Sequence, residues 1–481
     1  MERLASWMVN RALGRCAARI GVVVVRLAWA RHLDWHSRRG GQAGIIAALS
    51  FTVWLNWGST YYLLTVLAGP MAGNMGWPVT SLVAGLSAGL VIAGLASPAM
   101  GRAIERRGGR PVLAFGSFAL ASGLALLGLA QDLVSYFAAW VVLGIGMSAS
   151  LYDAAFAALG RLYGLQARGM ISSLMLIVGF ALVTSWPLTA LMVGALGWRG
   201  ACFCYAAMHI SLALPTHVFL LPRETARPVA SPLVEAPAET SPLQGHAADQ
   251  TKAGRSLLVW LVGTNLTLQI GIASALAVNL LTLLQSLGVA FTASVALGSL
   301  IWLAQGAGRL LEVSLGRRFH PVWEGVGASV FVLVGLVLLL AAQPLAIAVG
   351  LFLFGLGNGV RGIVKGTLPL VLFGAAGYAT LVGRLGLPTL IAQAAGPALA
   401  AIALTKWGVM PSLLALTGLA LVNLLLSYAL RIALPRDEQA PYPSPVVPTG
   451  SSSSQAESGM QAGSAHLPLS EEQGARRTGA Q

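Results

Sequence analysis

Charge is the scarcest commodity in this chain. Only 10% of its 481 residues are Asp, Glu, Lys or Arg, where a soluble protein carries about 25%. That shortage excludes an ordinary water-soluble fold. Cysteine is scarcer still, at three residues: Cys16, Cys202 and Cys204. One C-x-C with no second pair supports neither a zinc framework nor a disulfide scaffold. The reading is small apolar packing residues, with a soft-metal or arsenic-type thiol site as the sharper alternative. Alternation of apolar and polar residues with period two is missing too, which excludes a transmembrane β-barrel.

What remains is a chain that is 56% hydrophobic. Its apolar runs have the length of about 20 residues that a helix needs to cross a hydrocarbon core. Twelve spans are expected, at 43–68, 78–101, 111–130, 133–158, 169–193, 201–221, 256–283, 289–311, 325–342, 345–370, 385–405 and 409–433. The fold class is therefore an all-α membrane protein. Six spans fall in 43–221 and six in 255–434, separated by a Pro-, Ala-, Ser- and Glu-rich linker at 222–254. That composition has no core to bury, and neither has the tail, 435–481, with its "PYPSPVVPTGSSSSQAESG". Residues 1–42 read as a basic amphipathic segment on an anionic membrane surface. A secretory leader does not fit, because Arg26 interrupts the short apolar run. His32 and His36 share a helical face there, but incidental histidines explain them better than a metal site.

The formal charge of +14 would suggest nucleic acid in a soluble protein. Topology accounts for it instead. With twelve spans, both termini and the linker lie on one side, which collects all Lys and Arg residues except Arg199 and Lys406. The positive-inside rule makes that side cytoplasmic. No nucleic-acid partner and no cofactor is needed.

The two exceptions expose a repeat. Trp198 and Trp407, Asn56 and Asn265, Pro187 and Pro397, and Gly101 and Gly308 are all separated by 207 to 210 positions. "GRAIE" at 101–105 is echoed by "GRLLE" at 308–312. One offset for four pairs argues for two related six-helix halves, the plan on which many secondary transporters are built.

Gly101-x-x-x-Glu105-Arg106-x-Gly108-x-Arg110 then becomes meaningful. It resembles the loop 2–3 signature of the major facilitator superfamily (MFS), with glutamate where aspartate is usual. "GRPVLAFGS", "LYDAAFAAL" and "GTLPLVLFGAAGY" further resemble a bacterial branch similar to monocarboxylate porters. The resemblance implies the MFS fold, a pseudo-symmetric pair of six-helix bundles, and alternating access to a central site. It also implies a conformational latch from Gly101, Glu105, Arg106, Gly108 and Arg110, with Asp153 as partner and Gly308, Arg309 and Glu312 as the echo. A phosphate cradle does not fit: the segment follows no β-strand and lacks the Gly-Lys-Ser/Thr ending.

Polar residues inside the spans are the substrate candidates. No acid is expected in mid-span, and span five has Ser185-Trp186-Pro187 where drug antiporters of this superfamily carry Gly-Pro. Both features weaken cationic-drug efflux. Arg361 and Lys365 are four apart, hence on one face of span ten. Facing a cavity they would bind a carboxylate, the guanidinium by a bidentate pair and the ammonium as a point charge. Turned to the headgroups they would only echo the latch. Asn56, Tyr61, Tyr62, Trp186, Asn265, Gln269 and Gln393 complete the candidates. His209 reads as a packed histidine rather than a proton carrier.

The expected function is secondary transport of a small organic anion, such as a monocarboxylate, across a bacterial inner membrane. Both termini are expected in the cytoplasm, the protein as a monomer, and a proton as candidate coupling ion. Efflux of a drug or metalloid is the rival. A membrane enzyme or a non-transporting sensor belongs to another class, and the scattered acids and histidines offer neither a catalytic cluster nor a metal site.

Overall fold

The computed structural model describes residues 38–181, 184–223, 252–315 and 319–434. The amphipathic N-terminal segment with His32 and His36, the tail and nearly all of the linker lie outside the described residues. Among the described residues all regular structure is helical: α1 Arg38–Gly58, α2 Leu63–Met75, α3 Val79–Arg107, α4 Gly109–Leu129, α5 Leu133–Ser150, α6 Tyr152–Tyr163, α7 Ala167–Ala181, α8 Ser185–Met208, α9 Lys252–Ser286, α10 Phe291–Leu315, α11 Pro321–Leu340, α12 Pro344–Phe373, α13 Tyr378–Trp407 and α14 Val409–Ala433.

Ten described helical stretches are long and apolar enough to cross a membrane. Two of them each cover more than one crossing. Leu133–Gly179 holds the fourth and begins the fifth, and Ser185–Leu220 ends the fifth and holds the sixth. Gly197, at φ 70°, is the corner inside α8. With α1 and α2, joined by a break at Ser59–Tyr62, taken as the first crossing, the described residues supply the helices for twelve. The break is built from local alternatives to the helix ladder: the Thr60 hydroxyl donates to Asn56 O at 2.6 Å, and Tyr62 N donates to Trp57 O at 3.1 Å. Broken helices survive at membrane depth only where protein or a polar cavity satisfies the freed backbone. The sixth crossing ends in two π-helical turns, His209–Ala213 and Thr216–Leu220.

The first six crossings pack around Tyr136, Trp140 and Tyr205, all buried. Small residues bring the backbones together: a Cβ on Gly89 would sit 2.8 Å from the Trp140 ring. The last six pack around Phe354 and a leucine-rich cluster. Between the two sets, α3 runs against α13, α6 against α13, and α7 against α10 and α12. A Cβ on Gly101 would lie 2.9 Å from the Gly383 Cα, so this crossing requires glycine on both helices. Gly108, at φ 88°, ends α3 and lets α4 begin at once. These contacts gather at the end that carries Arg102, Arg106, Arg110, Arg161 and Arg168, the basic end.

α10 corrects one expectation. The eighth span was placed at 289–311, but the helix continues to Leu315. Glu312, expected just beyond the span, therefore stands within the helix, three residues after Arg309, and is only 5% exposed.

Candidate functional site

The predicted residues divide into three places. The first lies wholly within the last six crossings. Arg361, 4% exposed, donates from Nη1 to Asn265 Oδ1 at 2.8 Å. Its Nη2 donates to Asn423 Oδ1 at 2.9 Å, to Ser427 Oγ at 3.2 Å and to Ser329 Oγ. Asn265 Nδ2 donates in turn to Asn423 and Ser427. Gln269 Nε2 donates to Asn358 Oδ1 at 2.8 Å and its Oε1 accepts from Asn423 Nδ2 at 3.3 Å. Crossings seven, nine, ten and twelve are thus tied through one guanidinium. A charge in hydrocarbon is costly unless it is paired or hydrogen-bonded; here both Nη1 and Nη2 are occupied, and Nε alone is buried without a partner. Arg361, Asn265 and Gln269 form a bundle brace. Asn56, fully buried, does the corresponding work in the first six crossings, donating from Nδ2 to Ser150 O at 2.7 Å.

The second place is a gate at the basic end. Lys365 does not stand beside Arg361 as an anion pair; its Nζ lies 2.7 Å from Asp153 Oδ1 and 3.0 Å from Oδ2. Arg168 Nη2 lies 2.8 Å from Glu324 Oε1, and Ser172 Oγ donates to Glu312 Oε1 at 3.1 Å. Each of these joins the first six crossings to the last six. The expected latch is thereby redistributed. Gly101 serves the helix crossing, Gly108 ends α3, and Asp153 and Glu312 bridge the two sets. Among the described residues, however, no ion pair joins Glu105 to Arg106 or Arg110. Arg106 is exposed and Arg110 half-buried, so water solvates those charges, and the bridging cations are Lys365 and Arg168. His320, which caps α11 by accepting from Val322 N at 3.3 Å, sits beside this gate. Burial, and then the nearby Arg168 charge, push its pKa down to about 4.

The third place is an aromatic cluster between the two sets of crossings, the candidate chamber. Tyr62 lies 6.2 Å from Trp186 and 5.9 Å from Trp302 between ring centroids, and Trp186 lies 6.2 Å from Trp302. Trp57 packs 5.3 Å from Tyr61 and 5.1 Å from Tyr152. Trp302 belongs to α10 and the other rings to the first six crossings, so the chamber spans the interface. Tyr61 reaches across to Gln393 of α13 by a side-chain hydrogen bond. Its position explains the helix break, which turns Tyr61 and Tyr62 together into the interface. Arg309 approaches from the basic end within electrostatic range of Tyr62 and Tyr152. Only a glycine at 179 leaves room for its guanidinium. Arg309 Nε, Tyr152 Oη and Trp57 Nε1 are buried donors with no hydrogen-bond partner in the protein. Unpartnered donors among closely packed aromatic rings are a chemistry that an anion with a flat apolar body would satisfy.

Tyr61, Tyr62, Trp186 and Gln393 stand together in this cluster, while Asn56, Asn265, Gln269, Arg361 and Lys365 are placed elsewhere. Trp57, Tyr152, Trp302 and Arg309 were missed as chamber residues. Cys202 is buried and Cys204 half-buried in α8. Among the described residues no group of three or more His, Cys, Asp or Glu side chains could hold a metal ion.

Comparison with known proteins bears on this geometry. A family model described as Major Facilitator Superfamily matches residues 49–371. The chain belongs to the major facilitator superfamily. It is a multi-pass membrane transporter and not an enzyme. The match is to the superfamily and does not single out the branch similar to monocarboxylate porters. No curated protein sequence matches the chain. Among solved structures, the human organic anion transporter MFSD10 (TETRAN) superposes with a TM-score of 0.63 at 17% identity, covering 80% of this chain and 99% of that one. The proton:xylose symporter XylE, bound to 6-bromo-6-deoxy-D-glucose, gives 0.64 at 10% identity, covering 84% and 98%. FucP in the outward conformation gives 0.60 at 11% identity, covering 81% and 98%. At these identities the likeness is one of fold.

Proposed function

We propose that this MFS transporter carries a small organic anion, with Arg309 and the aromatic chamber as its binding site. The observation that carries the reading is three neighbouring side chains at the interface whose buried donors have no protein partner, Arg309 Nε, Tyr152 Oη and Trp57 Nε1. A carboxylate or sulfonate accepts from all three, and the rings of Tyr62, Trp186 and Trp302 flank a flat body. The name of one structural neighbour, an organic anion transporter, supports the same class. The rival, a cationic drug, would need a carboxylate in the chamber, and the residues that form it include none. Asp153 is engaged by Lys365.

The two six-helix halves, 43–221 and 255–434, rock about this site with the segment 222–254 as their tether. In this arrangement the basic end is closed by Asp153–Lys365, Arg168–Glu324 and the Gly101–Gly383 crossing. With that end and both termini in the cytoplasm of a bacterium, the state is outward-facing. The test is counterflow of radiolabelled benzenesulfonate in proteoliposomes. Wild type exchanges it and Arg309→Gln does not. Equal exchange by both proteins, or none by wild type while a neutral or cationic aromatic exchanges, removes the anion reading.

A further inference from the structure

The arginines of the basic end are not all engaged at the gate. Three of them, Arg107, Arg110 and Arg223, line one cavity of about 420 Å³. Arg107 ends α3, Arg110 stands in the first turn of α4, and Arg223 follows the sixth crossing. Gly108, at φ 88°, turns the chain between Arg107 and Arg110 so that both reach the same opening. Among the described residues none of the three makes an ion pair. Glu105 is two residues from Arg107 on α3, hence on another face, and neither it nor any other acid lines the cavity. Arg161, on α6, and Arg168, at the gate, are not part of the lining either. The opening also lies at the start of α4, the positive end of that helix.

The rest of the wall is apolar. Ala114 is one turn into α4 from Arg110, and Phe118, one turn further on the same face, is exposed. Val218 comes from the end of the sixth crossing, beside the exposed Phe219. A basic mouth therefore opens onto an apolar track that follows α4 into the membrane. A water-soluble anion would use the mouth alone. A molecule with an anionic head and a hydrocarbon tail uses both. α4 and the end of the sixth crossing pack on other elements of the first six crossings, so this cavity stands apart from the gate and the chamber.

We propose that this cavity binds an anionic phospholipid from the leaflet at the basic end, with its phosphate among Arg107, Arg110 and Arg223 and one acyl chain over Ala114, Val218 and Phe118. Three like charges around one opening repel one another unless a counter-ion lies between them. A phosphodiester supplies that charge, and its free oxygens accept charge-assisted hydrogen bonds from the guanidiniums. The bound lipid joins the end of α3, the start of α4 and the segment after the sixth crossing. It thereby fixes Arg223, where the linker begins, against the first six crossings.

The experiment offers the full-length protein phosphatidylglycerol and phosphatidylcholine in equal amounts in micelles and counts the retained lipid by native mass spectrometry. Wild type is expected to prefer phosphatidylglycerol. Arg107→Gln, Arg110→Gln and Arg223→Gln should each reduce that preference several-fold, and the triple variant should abolish it. Arg102→Gln removes an exposed charge of the same end that does not line the cavity, and should change the preference less than any of the three. Ala114→Trp removes no charge but fills the apolar wall, and should lower phosphatidylglycerol retention to that of the triple variant. Excess inorganic phosphate should leave the lipid in place.

No preference in wild type overturns the proposal. Equal losses from Arg102→Gln and from the three cavity variants also overturn it, because they show attraction to the basic surface at large. Retention untouched by Ala114→Trp shows that no chain occupies the cavity, and displacement by inorganic phosphate shows that a free anion takes the mouth; either result overturns the lipid assignment. The arginine and alanine variants act on different walls, so failure of one to fold leaves the other as the test.

Discussion

Replacing Arg361 separates two roles that the sequence alone left open. In the structure its guanidinium donates to Asn265, Ser329, Asn423 and Ser427 inside the last six crossings. Arg361→Ala deletes those bonds and leaves the two asparagine oxygens short of donors. Side-chain hydrogen bonds within membrane bundles average about 0.6 kcal/mol each in double-mutant cycles, so the four partners together contribute roughly 2–3 kcal/mol. That loss lowers the melting temperature by about 4–12 °C for a bundle of this size. Arg361→Lys recovers part of it, because one ammonium cannot reach the partners of a planar fork. The assay is thermal unfolding of the purified protein in detergent, with and without benzenesulfonate. A brace residue lowers the melting temperature and leaves ligand-induced stabilisation intact. An unchanged melting temperature with no ligand response would refute the brace and return Arg361 to the binding site.

The gate makes further demands. Asp153→Asn and Lys365→Met should each raise alkylation of a cysteine placed at Tyr163, near the basic end, by several-fold, and the exchange Asp153→Lys with Lys365→Asp should lower it again; no change in any variant would show that the pair does not hold the halves. Gly383→Val pushes a branched side chain against Gly101 and should open the same end without lowering bilayer insertion, read by the same alkylation; protection equal to wild type would contradict the tight crossing. His320 has its pKa lowered from 6.5 to about 4. A depressed folded-state value favours the fold above pH 6.5, and that advantage is lost progressively as pH falls towards 4. His320→Asn should flatten that part of the stability profile, measured by denaturation at stepped pH, and an unaltered slope would dismiss the histidine as its source.

The sequence was most legible where one physical requirement dominates. Hydrocarbon thickness fixes the length of an apolar run, so twelve crossings could be counted even though the Ser59–Tyr62 break interrupts the first and only the Gly197 corner separates the fifth from the sixth. Spacing of 207 to 210 positions carried the repeat. Side-chain destination was much less legible. Arg361 and Lys365 share a helix face, yet one turn along α12 separates the interior of a bundle from the interface between bundles. Four residues of spacing cannot distinguish them. Asn56 and Asn265 occupy equivalent places and both became braces, a correspondence visible in the offset but not its meaning. Arg309 and Glu312 looked like a loop echo because hydropathy falls where charges appear, although the helix continues past them. Their burial depends on Ser172 and Gly179 from a distant crossing, which no local pattern announces.

The claim that everything else depends on is an anion site at Arg309, and direct binding tests it. Benzenesulfonate and benzyl alcohol share a flat ring and differ in charge. Their affinities for wild type and Arg309→Gln in nanodiscs can be read from quenching of the chamber tryptophans and by calorimetry. A hydrogen bond to a charged group contributes about 1.5–3 kcal/mol, so benzenesulfonate should bind the variant roughly 10- to 100-fold more weakly. Benzyl alcohol should bind both proteins alike. Equal benzenesulfonate affinity for the two proteins, or a preference of wild type for the alcohol, would contradict the account.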